Sequence, residues 1–148
     1  VTIQPTGRVG LYVHVPFCVA HCPYCDFAVT VTRTIPHAAY LEAVLTELRA
    51  RRSALAGRRL STIYFGGGTP GLWNAESIVA VIDAAREAAD IAAIEEITVE
   101  LNPERVDAGW LRTVVAGGVD RVSLGAQSLD LATLRLLGRS HAPDDVVR

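Results

Sequence analysis

An α/β fold built on a parallel sheet is predicted by three features of this 148-residue sequence. Four short β-prone runs recur along the chain, a helix-period segment stands behind each, and the strands separate apolar from polar side chains by parity. The units are GLYVHV (10–15) before 35–52, STIYF (61–65) before 75–90, EITVEL (96–101) before 107–116, and RVSLG (121–125) before 130–137. Repeated β-then-α order is the pattern of a parallel βα sheet or barrel.

Each strand assigns its faces with period two. Leu11, Val13 and Val15 share one face, as do Ile63 with Phe65, Ile97 with Val99 and Leu101, and Val122 with Leu124. In a parallel sheet that face lies under helices. The other parity carries Tyr12 and His14, then Tyr64, then Thr98, Glu100 and Asn102, then Arg121, Ser123, Gly125 and Gln127. A barrel interior normally fills with branched apolar residues, so a polar lining on all four strands points to a binding site.

In the first helix Leu41, Val44, Leu45 and Leu48 form one stripe, and in the second Ile78, Ile82, Ala85 and Ala89 do the same. Asp107 and Asp130 stand where N-caps of the third and fourth helices belong.

Fourteen basic and sixteen acidic side chains give a net charge of -2, which offers no electrostatic case for nucleic acid or an anionic membrane. No apolar run approaches the roughly 18 residues of a membrane span, and VTIQPTGR lacks the pattern of an export signal. A cytoplasmic location is expected. There is no low-complexity linker, so residues 1–10 are read as a leader and 11–148 as one domain. The chain starts at Val1 and has no methionine, which fits either an unusual start codon or an excerpt of a longer chain.

The three cysteines, Cys18, Cys22 and Cys25, all fall within LYVHVPFCVAHCPYCDF (11–27). A reducing compartment disfavours disulfides, and three thiols cannot all pair among themselves. The CxxxCxxC run follows the first strand, at the carboxyl end where βα barrels hold their sites. A cubane iron-sulfur cluster takes one cysteine per iron, so three ligands leave one iron open to a molecule that is not protein. The alternative is a Cys3His zinc site using His14 or His21, although zinc sites usually pair CxxC with a second, distant pair. His21 is most simply an exposed loop residue.

CxxxCxxC after a first barrel strand, with an aromatic, Tyr24, between the second and third cysteines, resembles the radical S-adenosylmethionine superfamily. The fuller string YVHVPFC…CPYCDF resembles its coproporphyrinogen III oxidase-like family, heme-chaperone (HemW-like) branch. The resemblance implies a 4Fe-4S cluster on Cys18, Cys22 and Cys25 whose open iron is chelated by the methionine moiety of S-adenosylmethionine. One electron then cleaves the sulfonium to give a 5'-deoxyadenosyl radical, so a low-potential electron donor is implied as a partner, with heme or a porphyrin as a further ligand.

Other matches follow in order. GGGTP at Gly66 to Pro70 is by itself an ordinary permissive turn; by resemblance Gly67, Gly68 and Thr69 border the methionine amino group. Glu100 in TVELNP matches a residue at the ribose hydroxyls. Gln127, Arg139, Tyr12 and Tyr24 match cofactor-contacting positions of the oxidase. For Arg139 the other reading is a solvated cation at a helix C-terminus.

Two departures qualify the resemblance. In the oxidase another cysteine follows one residue after the third ligand, whereas Cys25 here precedes Asp26 and Phe27, which favours the heme-chaperone branch. The resemblance implies a partial (β/α) barrel of six βα units with a C-terminal domain, whereas four units are present, so the C-terminal part is expected to be absent and one sheet edge uncovered and prone to association. No catalytic acid or base is identified. The expected function is a cluster- and S-adenosylmethionine-binding heme chaperone. The alternatives are an oxygen-independent coproporphyrinogen III oxidase, or a truncated fragment without function.

Overall fold

The computed structural model describes residues 7–89, 91–105 and 107–147. Its sheet is wholly parallel, in the order β1 (Arg8–Val15), β4 (Arg59–Gly67), β5 (Ile91–Leu101), β6 (Arg121–Leu124). A second, two-stranded sheet pairs β2 (Phe17–Cys18) with β3 (Thr30–Val31) across the ends of the cysteine loop. The helices are α1 (His37–Ala50), α2 (Arg52–Leu55), α3 (Ala75–Ala88), α4 (Ala108–Ala116), α5 (Leu131–Leu136) and α6 (Pro143–Val147). The four expected βα units are therefore present, with β2, β3, α2 and α6 added by the structure. β1 begins at Arg8, so residues 8–10, assigned to a leader from the sequence, pair with β4 instead.

The parities hold in three dimensions. Val13, Val15, Ile63, Phe65, Ile97, Val99 and Leu101 are buried, and the core they form is closed by Ile78, Val81, Ile82 and Ala85 of α3 and Leu48 of α1. Val122 departs from the expectation: it is 43% exposed on β6, one of the two edge strands. Strand register aligns Tyr12 with Tyr64, Tyr64 with Thr98, and Glu100 with Ser123, gathering the polar parity on one face, on which Thr98 is fully buried.

Local chemistry fixes the helix starts. Asp107 accepts the Trp110 amide at 2.7 Å and Asp130 the Thr133 amide at 2.7 Å, each satisfying a donor that the helix itself leaves unpaired.

An aromatic column supports the cysteine loop from beneath. Phe17 packs edge-on against Tyr40 with ring centroids 5.0 Å apart, and Tyr40 packs edge-on against Trp73 at 5.1 Å. Trp73 is fully buried, donates its indole N–H to the His37 carbonyl at 3.3 Å, and accepts the Trp110 indole N–H on its own carbonyl at 2.8 Å. The Tyr40 hydroxyl donates to the His14 carbonyl. Trp73→Ala would empty the centre of this column. It is expected to cost about 3–5 kcal/mol in chemical denaturation, with iron incorporation falling as Phe17 loses its support.

Candidate functional site

Beyond the carboxyl ends of the strands lies a cavity of about 510 Å³. Cys18, Cys22, Cys25 and Tyr24, then Gly67, Gly68 and Thr69, then Glu100, Gln127 and Arg139 all line it. Ten of the eleven site residues expected from the sequence thus meet around one space. Tyr12 does not. It is 54% exposed on the same sheet face but outside the cavity wall, stacked on Tyr64 with centroids 6.0 Å apart.

The cysteine loop is held at both ends by backbone. The amides of Thr30 and Thr32 donate to the Pro16 and Cys18 carbonyls at 2.7 and 2.9 Å, and a turn within the loop joins the Cys25 amide to the Cys22 carbonyl at 3.1 Å. Gly68 and Thr69 extend the zipper, donating to the Val15 and Phe17 carbonyls at 2.8 Å each. Gly67, at φ +111, occupies a conformation that L side chains rarely adopt, and a Cβ there would stand 2.6 Å from the His14 ring. The glycines are therefore more than a permissive turn: they let β4 close against the cysteine loop.

All three thiols are free and half-buried. Burial pushes the Cys18 thiol up from its ordinary range and its neighbours Cys22 and Cys25 push it further, while a hydrogen bond from Thr69 and the charge of Arg139 oppose this. Burial likewise raises Tyr24, with Cys22 next in effect. Among the described residues no three His, Cys, Asp or Glu side chains converge tightly enough to chelate a single ion. A cubane asks for something different, one thiolate at each of three irons spread over a cluster, and three unpaired thiols around one cavity fit it.

Glu100 is not an isolated charge. Its carboxylate accepts the Tyr64 hydroxyl at 2.6 Å and the Gly67 amide at 3.2 Å, which offsets the penalty of drawing it from water. The same hydrogen bond is the main reason the Tyr64 hydroxyl is held above its ordinary range. Two carboxylate oxygens with four lone-pair directions still leave capacity for a ligand's hydroxyls.

Arg139 is buried, with its side chain 7% exposed, which overturns the solvated helix-end alternative. One terminal nitrogen, Nη2, donates to Asn102 Oδ1 and to the Gly125 carbonyl, each at 2.9 Å, while Nε is buried with no hydrogen-bond partner. Asn102 Nδ2 in turn reaches Thr69 Oγ1 at 3.5 Å, and Thr69 Oγ1 lies 3.8 Å from Cys18 Sγ. A polar chain therefore crosses the strand ends from Arg139 to the first cysteine. Asn102 and Tyr64 were legible in the sequence only as members of the polar parity, and Glu104 and Ser140, also on the wall, carried no sequence signal.

Among known proteins, the chain is 38% identical over 141 residues to heme chaperone HemW of Escherichia coli, covering 95% of this chain and 37% of that protein. It is also 38% identical over 141 residues to the mitochondrial radical S-adenosyl methionine domain-containing protein 1 of Bos taurus, covering 32% of it. The solved structure of coproporphyrinogen III oxidase (HemN) from Escherichia coli, a Radical SAM enzyme, superposes with a TM-score of 0.85 at 32% identity, over 98% of this chain and 34% of that one. The chain thus spans about a third of the length of the relatives it matches. The family profile of the Radical SAM superfamily matches residues 12–148, nearly the whole sequence, and on that extent the chain belongs to this superfamily.

Proposed function

We propose that this protein carries a 4Fe-4S cluster on Cys18, Cys22 and Cys25, binds S-adenosylmethionine in the adjoining cavity, and serves as a HemW-like heme chaperone in heme and porphyrin metabolism. Superfamily membership implies the cluster and S-adenosylmethionine in general terms. The observation that carries the reading for these residues is three unpaired thiols lining one cavity together with a donor-held carboxylate, Glu100. When bound, the pair supplies one-electron cleavage of a sulfonium. This chain's own part is to bind, orient and shield.

Gly67, Gly68 and Thr69 offer backbone and a hydroxyl where a side chain would block approach, fitting the methionine end. Glu100 suits the ribose hydroxyls, Gln127 and Arg139 offer donors on the cavity lining, and Tyr24 supplies an aromatic flank. Tyr12 takes part only if a ligand extends past Tyr64. A low-potential donor would deliver the electron, and unpaired thiols are best kept in a reducing, cytoplasmic setting.

Glu100→Ala should leave iron content unchanged and weaken S-adenosylmethionine binding about tenfold to a hundredfold in calorimetry, as befits hydrogen bonds to a charged group. Iron loss in step with the affinity would remove Glu100 from this role.

The second reading is an oxygen-independent coproporphyrinogen III oxidase, favoured by the close superposition on HemN. Against it stands Asp26-Phe27 after Cys25, where the oxidase pattern has a further cysteine. Heme titration of the full-length protein, set beside its 5'-deoxyadenosine release, separates carrier from enzyme. Vinyl-bearing product from anaerobic incubation with coproporphyrinogen III, reductant and S-adenosylmethionine would replace the chaperone reading with the oxidase.

A further inference from the structure

Gln127 is the one non-glycine residue at positive φ among the described residues, with φ 60. The Ser128 amide donates to the Ala126 carbonyl at 2.7 Å, an i to i+2 bond across Gln127. Such a turn with positive φ at its centre is the rare, strained kind, and it persists only where surrounding structure holds it.

The holder is at hand. His141 has a fully buried ring, and its Nε2 lies 3.0 Å from the same Ala126 carbonyl. A carbonyl only accepts, so Nε2 carries the proton and donates. The other ring nitrogen, Nδ1, has no hydrogen-bond partner and lies 3.4 Å from Glu104 Oε2. Glu104 is itself steadied by the Ser140 hydroxyl at 3.2 Å. Two residues earlier, Arg139 grips the Gly125 carbonyl. Consecutive carbonyls of the Gly125-Ala126 segment are thus held by two buried side chains from the loop after α5, and Gln127 follows directly on the cavity wall.

We propose that His141 is a positioning residue: its hydrogen bond to the Ala126 carbonyl locks the strained turn that presents Gln127 to the cavity. The purpose of that presentation rests on the S-adenosylmethionine reading above, whereas the lock itself does not.

Amide hydrogen exchange at Ser128 in the full-length protein tests the lock without any ligand. His141→Leu should speed exchange there about tenfold or more, whereas His141→Gln, whose amide can replace the Nε2 donor, should stay near the natural protein. Unchanged exchange in His141→Leu overturns the proposal. Should the leucine variant fail to fold, His141→Asn, whose amide falls short of the carbonyl, gives the same readout.

Calorimetry with S-adenosylmethionine then tests the purpose. His141→Leu should weaken binding about tenfold in the natural background but less than about twofold beside Gln127→Ala, since the lock acts through that side chain. Equal losses in both backgrounds would mean a general structural role and overturn the proposal. If even the natural protein fails to bind S-adenosylmethionine, the function above falls while the exchange result still decides the lock.

Discussion

Changing any one of Cys18, Cys22 or Cys25 to alanine is expected to remove nearly all cluster-bound iron. The three thiols line one cavity from one short loop, and no fourth cysteine exists in the chain to substitute for a lost ligand. With only two sulfurs left, two irons of a cubane would face solvent, and a half-held cluster dissociates or degrades. His21 is exposed but also lines the cavity, so each variant is to be repeated beside His21→Ala. Iron and acid-labile sulfide per chain after anaerobic reconstitution, with the visible absorbance, measure the effect. Because the loop is held by backbone bonds at Pro16, Cys18, Gly68 and Thr69 and not by the thiols, the variants should remain folded. Full iron retention in Cys22→Ala would break the ligand assignment.

The second large effect belongs to Gly68→Ala. A Cβ at Gly68 would stand 2.7 Å from the Phe17 carbonyl oxygen, 2.9 Å from the Pro16 carbonyl carbon and 3.0 Å from Cys18 Sγ. The first two are backbone atoms, and neither can swing aside: Gly68 and Thr69 donate to Val15 and Phe17 at 2.8 Å each, and Thr30 donates to Pro16 at 2.7 Å. One methyl group therefore either breaks this zipper or pushes Cys18 away from its partners. Overpacking of this kind costs about 1–3 kcal/mol, so the protein should fold with a lowered denaturation midpoint while cluster incorporation falls sharply. Gly7→Ala, whose Cβ would meet nothing within 4 Å, is the control. Normal iron content in Gly68→Ala would mean that the strand end and the cysteine loop are not coupled as the packing requires.

Three unpaired thiols beside a carboxylate with spare lone pairs make a consistent pair of demands on a ligand. On the proposed reading it meets a metal at one end and presents hydroxyls at the other. The neighbouring donors at Arg139 and Asn102 add directionality, and the buried Nε of Arg139 leaves one more donor to satisfy. The strained turn at Gln127 belongs to the same wall, consistent with the tendency of such turns to cluster where a ligand is clamped.

Much of this was legible along the chain because it is local. Alternation in EITVELN (96–102) put Glu100 and Asn102 on one face and Ile97, Val99 and Leu101 on the other, and apart from the buried Thr98 the sheet burial follows that division. Asp107 and Asp130 preceded helical periods and cap α4 and α5. The cysteine spacing placed three thiols on one loop, and the loop folds that way. Period and capping depend on residues within a few positions of each other, and so they survive in a one-dimensional string.

By itself the sequence determined the order of the four βα units, the polar and apolar faces, and the cysteine loop at the carboxyl end of the first strand. Only the tertiary structure decided that Arg139 is buried against Asn102, 37 positions away, that His141 reaches Ala126, 15 positions away, and that Tyr12 stands off the cavity wall. It also decided that Val122 lies exposed at the sheet edge. The physical reason is separation along the chain. Which distant side chains meet is set by strand order and register, and neither is written in any local period.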